Sequence, residues 1–199
     1  MRLPVATIAL LAVIATPAMA HGTFAPGQGF VAGVLHPVLA VSHLIALLAL
    51  GLLLGQQERA VPIWPLAGLA LGLTGVLLTG PAIILPAAIL VLGLIAGLLI
   101  AMARPVPVVV LAVLAVAIGV AVGSDTDLTV ADGAKRVEVI GAGLGVVAGV
   151  FLIVLNCMAL ARLATHPVGA IAIRVGGSWV AAASIMVLAL QFRPVMAGS

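Results

Sequence analysis

Charge is what this chain has least of. Only 7% of its 199 residues are Asp, Glu, Lys or Arg, and a single one is Cys. A soluble domain is about a quarter charged. Such scarcity excludes a soluble enzyme, a disordered tail and a nucleic-acid binder. The net charge of +3 rests on eight Lys and Arg scattered along the chain. The pI near 10.6 therefore reflects few charges rather than a basic patch. One cysteine excludes a disulfide framework and a cysteine metal cluster. No Walker loop, dinucleotide fingerprint or zinc-protease motif is present. The chain thus shows no catalytic site, and neither an enzyme nor a permanently bound cofactor is expected.

What is present is apolar: 65% of the residues are hydrophobic, and the mean hydropathy is +1.45. The first twenty residues read as a secretory signal peptide. Met1 and Arg2 give a basic start, Leu3 to Thr16 an apolar core, and Ala18 and Ala20 an A-x-A cleavage site. The other reading is a retained first helix, but the run is short for a span. Cleavage leaves one domain, residues 21–199, beginning at His21 outside the cytoplasm.

Six stretches in that domain approach the ~20 residues that cross ~30 Å of hydrocarbon. They run from Phe30 to Leu54, Pro62 to Thr79, Pro81 to Ala103, Pro105 to Gly123, Val137 to Ala161 and Pro167 to Leu190. None alternates as a membrane β-strand does. The expected fold is an all-α integral membrane protein, a bundle of about six transmembrane helices. Pro62, Pro81, Pro105 and Pro167 suit helix starts. Pro86 should kink the third span unless that helix starts later. Arg59, Arg104 and Arg162 fall on one side, and Lys135, Arg136 and Arg193 on the other. The positive-inside rule is therefore silent, and the signal peptide sets the orientation. Gly141, Gly145 and Gly149 line one helix face, as do Gly68 with Gly72 and Gly119 with Gly123. Such faces serve close packing within the chain or a homo-oligomer equally well.

Polar groups inside spans are costly and so mark function by default. His36 and His43 share a face of the first span, seven residues apart. In a straight helix that is roughly 10 Å, too far for one ion. Pro37 eases this by letting His36 sit in a flexible outer end. The pair reads either as ligands for nickel, zinc or copper or as interhelical hydrogen-bonding histidines. His21 could chelate a metal through its amine and ring, or lie in a polar end. Asp125, Asp127 and Asp132 could draw cations to an outer mouth or belong to a solvated loop. Asn156 and Arg174 lie at similar depth and are expected to hydrogen-bond, unless Arg174 snorkels to the interface. Thr74 and Thr79 suit bonds to their own helix, and Cys157 a buried apolar position. His166 falls on the side opposite His36, which argues against two axial haem ligands at one depth.

The stretch His36-Pro37-Val38-Leu39-Ala40-Val41-Ser42-His43-Leu44-Ile45-Ala46-Leu47 resembles the H-P-x-x-G-x-D-H-x-x-A-M motif of the HupE/UreJ family. His36, Pro37, His43 and Ala46 match; Ala40, Ser42 and Leu47 replace the glycine, aspartate and methionine. Arg174 matches the arginine of the last helix. The resemblance covers nearly the whole chain. It implies a permease taking up nickel, or cobalt, in support of hydrogenase or urease maturation. It points to His36 and His43 as metal-handling groups, with His21 as an outer collector. Ser42 removes the motif's only carboxylate. Where the family has a histidine-rich stretch after the fourth helix, this chain offers Asp125 and Asp127 as oxygen ligands, and Asn156 replaces a histidine of the fifth helix. The expected partners are a divalent cation and the lipid bilayer, with no nucleic acid. A non-transporting accessory scaffold and a small-solute channel are the competing readings.

Overall fold

A computed structural model of the chain describes residues 29–58, 62–80, 86–126 and 136–191. The expected signal peptide, His21, Asp127 and Asp132 lie outside these. Within them the chain is helical: α1 Gly29–Leu39, α2 Val41–Gly55, α3 Ile63–Thr79, α4 Pro86–Met102, α5 Val108–Asp125, α6 Arg136–Leu163 and α7 Pro167–Gln191. Hydrocarbon offers no partner for backbone N–H and C=O groups. An apolar chain therefore satisfies them internally, and helices do so segment by segment.

Among the described residues, three helices, α5, α6 and α7, are each long and apolar enough to cross a membrane. The first expected span is not one helix. It breaks at Ala40 into α1 and α2, bent by 78°. Ala40 is extended (φ −79°, ψ 104°). Its N–H still reaches His36 O at 3.0 Å, and its own carbonyl accepts Leu44 N–H at 3.0 Å. Pro37 has no N–H to give, which weakens the ladder just before the break. α3 and α4 are shorter apolar helices. Pro62 caps α3, and Pro167 opens α7, as expected. α5 is capped by Pro107 and not begun at Pro105. Pro86 stands at the start of α4, so it interrupts no hydrogen bond of that helix.

Two helix ends use left-handed backbone. Gly80 closes α3 at φ +83°, its N–H donating to Val76 O at 2.8 Å. Ala103 follows α4 at φ +49°, a conformation costing a residue with a Cβ about 1 kcal/mol.

The expected glycine faces pack within the chain. A Cβ on Gly29 would stand 2.6 Å from Glu138 O, and one on Gly145 would strike Phe30 O. α1 and α6 thus meet backbone to backbone. Gly72 faces Val116 O of α5, and Gly119 faces Leu69 O of α3. α4 and α7 meet at Gly97 and Gly177. Where lipid is as apolar as leucine, this close contact replaces the hydrophobic effect as the source of association.

α2 occupies the centre, packed against α4 and α6 and touching α5 and α7. Leu47, Leu50, Leu53 and Leu54 are fully buried along it. The exterior is the reverse. Leu78 is 86% exposed, Trp179 76% and Leu71 72%. An outer surface this apolar exceeds what water tolerates on a monomer and suits lipid.

Candidate metal site at a helix break

The bend at Ala40 changes the spacing argument. His36 ends α1 and His43 sits in the first turn of α2. Turning the chain by 78° between them brings the ring centroids to 5.2 Å, edge to face. A straight helix would have left them about twice as far apart.

A third group comes from far along the sequence. His43 Nε2–H donates to Asp125 Oδ2 at 3.0 Å, across 82 residues. His43 is fully buried; the Asp125 side chain is 20% exposed. Asp125 does not belong to a solvated loop. It ends α5, between buried Ser124 and buried Thr126, whose hydroxyl caps back onto Val122 O at 2.7 Å. A carboxylate oxygen accepts, so in the neutral ring the tautomer that fits this contact has its proton on Nε2 and its lone pair on Nδ1. Nδ1 is buried, with no hydrogen-bond partner among the described residues. A carboxylate behind a histidine in this way fixes its tautomer and raises its basicity toward a metal. Ser42 is half-buried beside them in the first turn of α2.

Among the described residues, no three His, Cys, Asp or Glu side chains already converge as a cage. His36, His43 and Asp125 form a row, with His43 in the middle. The row offers imidazole nitrogens and one carboxylate, a donor set that suits borderline divalent cations such as nickel, cobalt and zinc.

The other polar residues lie elsewhere. The expected hydrogen bond between Asn156 and Arg174 is not made. Asn156 is exposed, and its Nδ2 donates to Leu152 O of its own helix at 2.7 Å. Arg174 is also exposed, and its Nε donates to Ala101 O at 3.2 Å, where the last carbonyls of α4 carry partial negative charge. α6 and α7 barely touch, so similar depth did not bring the two side chains together. Thr74 and Thr79 bond to Ala70 O and Gly75 O of their own helix, and Cys157 is buried against Gly51, both as expected. His166 caps the turn into α7, its Nδ1 accepting Val168 N–H at 3.4 Å.

At the opposite end of α2 lies a cavity of about 830 Å³. Gln56, Gln57, Glu58, Arg104, Arg162 and Thr165 line it. Gln57 holds the α4–α5 connection there, its Oε1 accepting Val106 N–H at 3.1 Å. Both glutamines end an apolar run and drew no attention in sequence; being the first amides after that run was the available signal.

An all-helical membrane protein with a broken helix and a His–His–Asp row at the break is the class these features define. The family model described as HupE / UreJ protein matches residues 8–187. The chain therefore belongs to the HupE/UreJ family. No curated protein and no solved structure matches it.

Proposed function

We propose that this protein is a secondary permease that takes up a divalent cation, nickel or cobalt, across the bacterial inner membrane. Six crossings, with α1 and α2 sharing one, and a processed N-terminus outside complete this reading. Family membership supports a role related to nickel and cobalt. The observation that carries the reading is the break at Ala40, which sets the His36 ring 5.2 Å from His43 while Asp125 holds His43 from behind. Transporters use helices broken at mid-bilayer because the freed ends and nearby side chains replace the water shell of an ion.

In this scheme the cation arrives at the histidine end. His36 and Nδ1 of His43 replace part of its water. Asp125 balances part of its charge and orients the His43 ring. His21 and Asp127 gather cations ahead of the row. The membrane potential supplies about 2.3 kcal/mol per charge per 100 mV, about double for a dication.

Radioactive nickel uptake by cells expressing His43→Ala tests this. Uptake should fall to background, and His36→Ala should follow it. Uptake equal to that of the unmodified chain overturns the proposal. An accessory role would then be supported by a stoichiometric protein partner and by the absence of nickel in the purified chain.

A further inference from the structure

The cavity at the finish of α2 has the chemistry of an anion site. Arg104 and Arg162 line it, with Gln56 and Thr165. Arg174 adjoins it. It follows Ile173 of the lining, and its Nε donates to Ala101 O, two residues before Ala103 of the lining. Glu58 is the one carboxylate in the lining. Neither Arg104 nor Arg174 makes an ion pair with a described residue.

Arg174 poses the question most sharply. It lies seven residues into α7, roughly 10 Å from the helix start, and is exposed. A charge on the lipid side of a span is costly unless something opposite meets it. Ala101 O satisfies one of its five guanidinium N–H donors and carries only a partial charge. Ala101 is in the last turn of α4, so the guanidinium stands level with that helix end, where a long side chain reaches headgroups. The cavity also has apolar flanks. α6 and α7 barely touch. Leu160 and Leu163 on α6, and Val168 and Ile171 on α7, are each more than half exposed.

We propose that this cavity binds the phosphate of an anionic phospholipid, whose acyl chains lie over the apolar ends of α6 and α7. A guanidinium matches phosphate oxygens with paired N–H bonds. Basic pockets between transmembrane helices hold such headgroups. The volume of about 830 Å³ falls within the roughly 300–1,000 Å³ of pockets that take small ligands. The apolar flanks favour a lipid over a free phosphate, since a free anion gains nothing from them. The site stands at the far end of α2 from the histidines and needs nothing from the permease reading.

The full chain in a neutral detergent tests this, read by Tm and by native mass spectrometry. Phosphatidylglycerol should raise Tm and stay bound stoichiometrically. Phosphatidylcholine with the same acyl chains should do neither, and nor should inorganic phosphate alone. Arg104→Gln and Arg174→Gln should each weaken phosphatidylglycerol binding about tenfold, the worth of one charge-assisted contact. The readout is the lipid-induced shift from each variant's own Tm, so a small loss of stability does not obscure it. Arg104→Lys, which keeps the charge and loses the fork, should keep part of the affinity. Glu58→Gln should tighten binding by removing the carboxylate. Arg136→Gln, at the start of α6 and the other end of the bundle, should change nothing. If both arginine-to-glutamine variants hold phosphatidylglycerol as tightly as the unmodified chain, the inference fails. Equal stabilisation by phosphatidylcholine would assign the lipid to its acyl chains alone, and equal stabilisation by inorganic phosphate would assign the cavity to a free anion; either overturns the headgroup site.

Discussion

The two ends of α2 are built on opposite plans. At its start the chain is tight. α1 presses on α6 through Gly29, Gly33, Gly145 and Gly149, and the polar groups are two imidazoles and a carboxylate. At its finish the bundle opens around a cavity of about 830 Å³ edged by glutamines and arginines. In the proposed permease, the first end would hold a cation by ligand chemistry, and the second, where Arg104 stands near Glu58, would hold it less. That asymmetry would give transport a direction.

The comparison can be broken most severely at the tight end. Replacing Asp125 by Asn would leave His43 with a neutral partner and free its tautomer. Nickel affinity should fall about 10- to 100-fold, the usual loss when the group behind a metal-binding histidine is removed. Titration calorimetry on the purified chain reads this, and an unchanged affinity would detach Asp125 from metal handling.

A smaller effect is expected from Pro37→Ala. It returns an N–H to α1 and relieves the reason for breaking near Ala40. The histidine rings should move apart, with uptake falling about tenfold, because misplaced ligands no longer share an ion. Uptake at the original rate would show that the α1–α6 contacts alone set the bend.

At the open end the effects shrink. Arg174→Gln removes the bond to Ala101 O. Stability should fall by about 0.5–1.5 kcal/mol, the worth of one hydrogen bond, seen as a slightly lower Tm in detergent with nickel binding unchanged. A loss of binding would join the two ends more closely than their separation suggests. Smallest of all is Asn156→Leu. Its amide serves only its own helix on an exposed face. Leucine suits lipid better, so Tm should hold or rise slightly; a clear drop would reveal a polar partner on that face.

Composition made the helical membrane class legible, because a bilayer imposes one solution on long apolar runs. The glycine repeats were legible as packing faces for the same reason, and Gly68, Gly72, Gly119 and Gly123 do meet across α3 and α5. His36 and His43 were legible as a pair. Their 5.2 Å approach was not, because it depends on a bend whose cause is split between Pro37 and the packing of α1 on α6. The His43–Asp125 contact was hidden by its separation of 82 residues. The cavity beside Arg104 and Arg162 was hidden because helix ends far apart in sequence assemble it. The expected bond between Asn156 and Arg174 failed because depth along a helix says nothing about which way a side chain turns.

The glycine contacts sort the helices into locked couples: α1 with α6, α3 with α5, and α4 with α7. His36 rides on the first, Asp125 on the second and Arg174 on the third, while His43 stands at the hub that touches them all. Each couple is stiff within itself, since its backbones leave no slack for sliding. If the couples rock against one another, the grip on His43 loosens or tightens at once, from several sides. An ion seated there would then act as the pin of a joint, and its arrival or departure would be felt by every couple in the bundle.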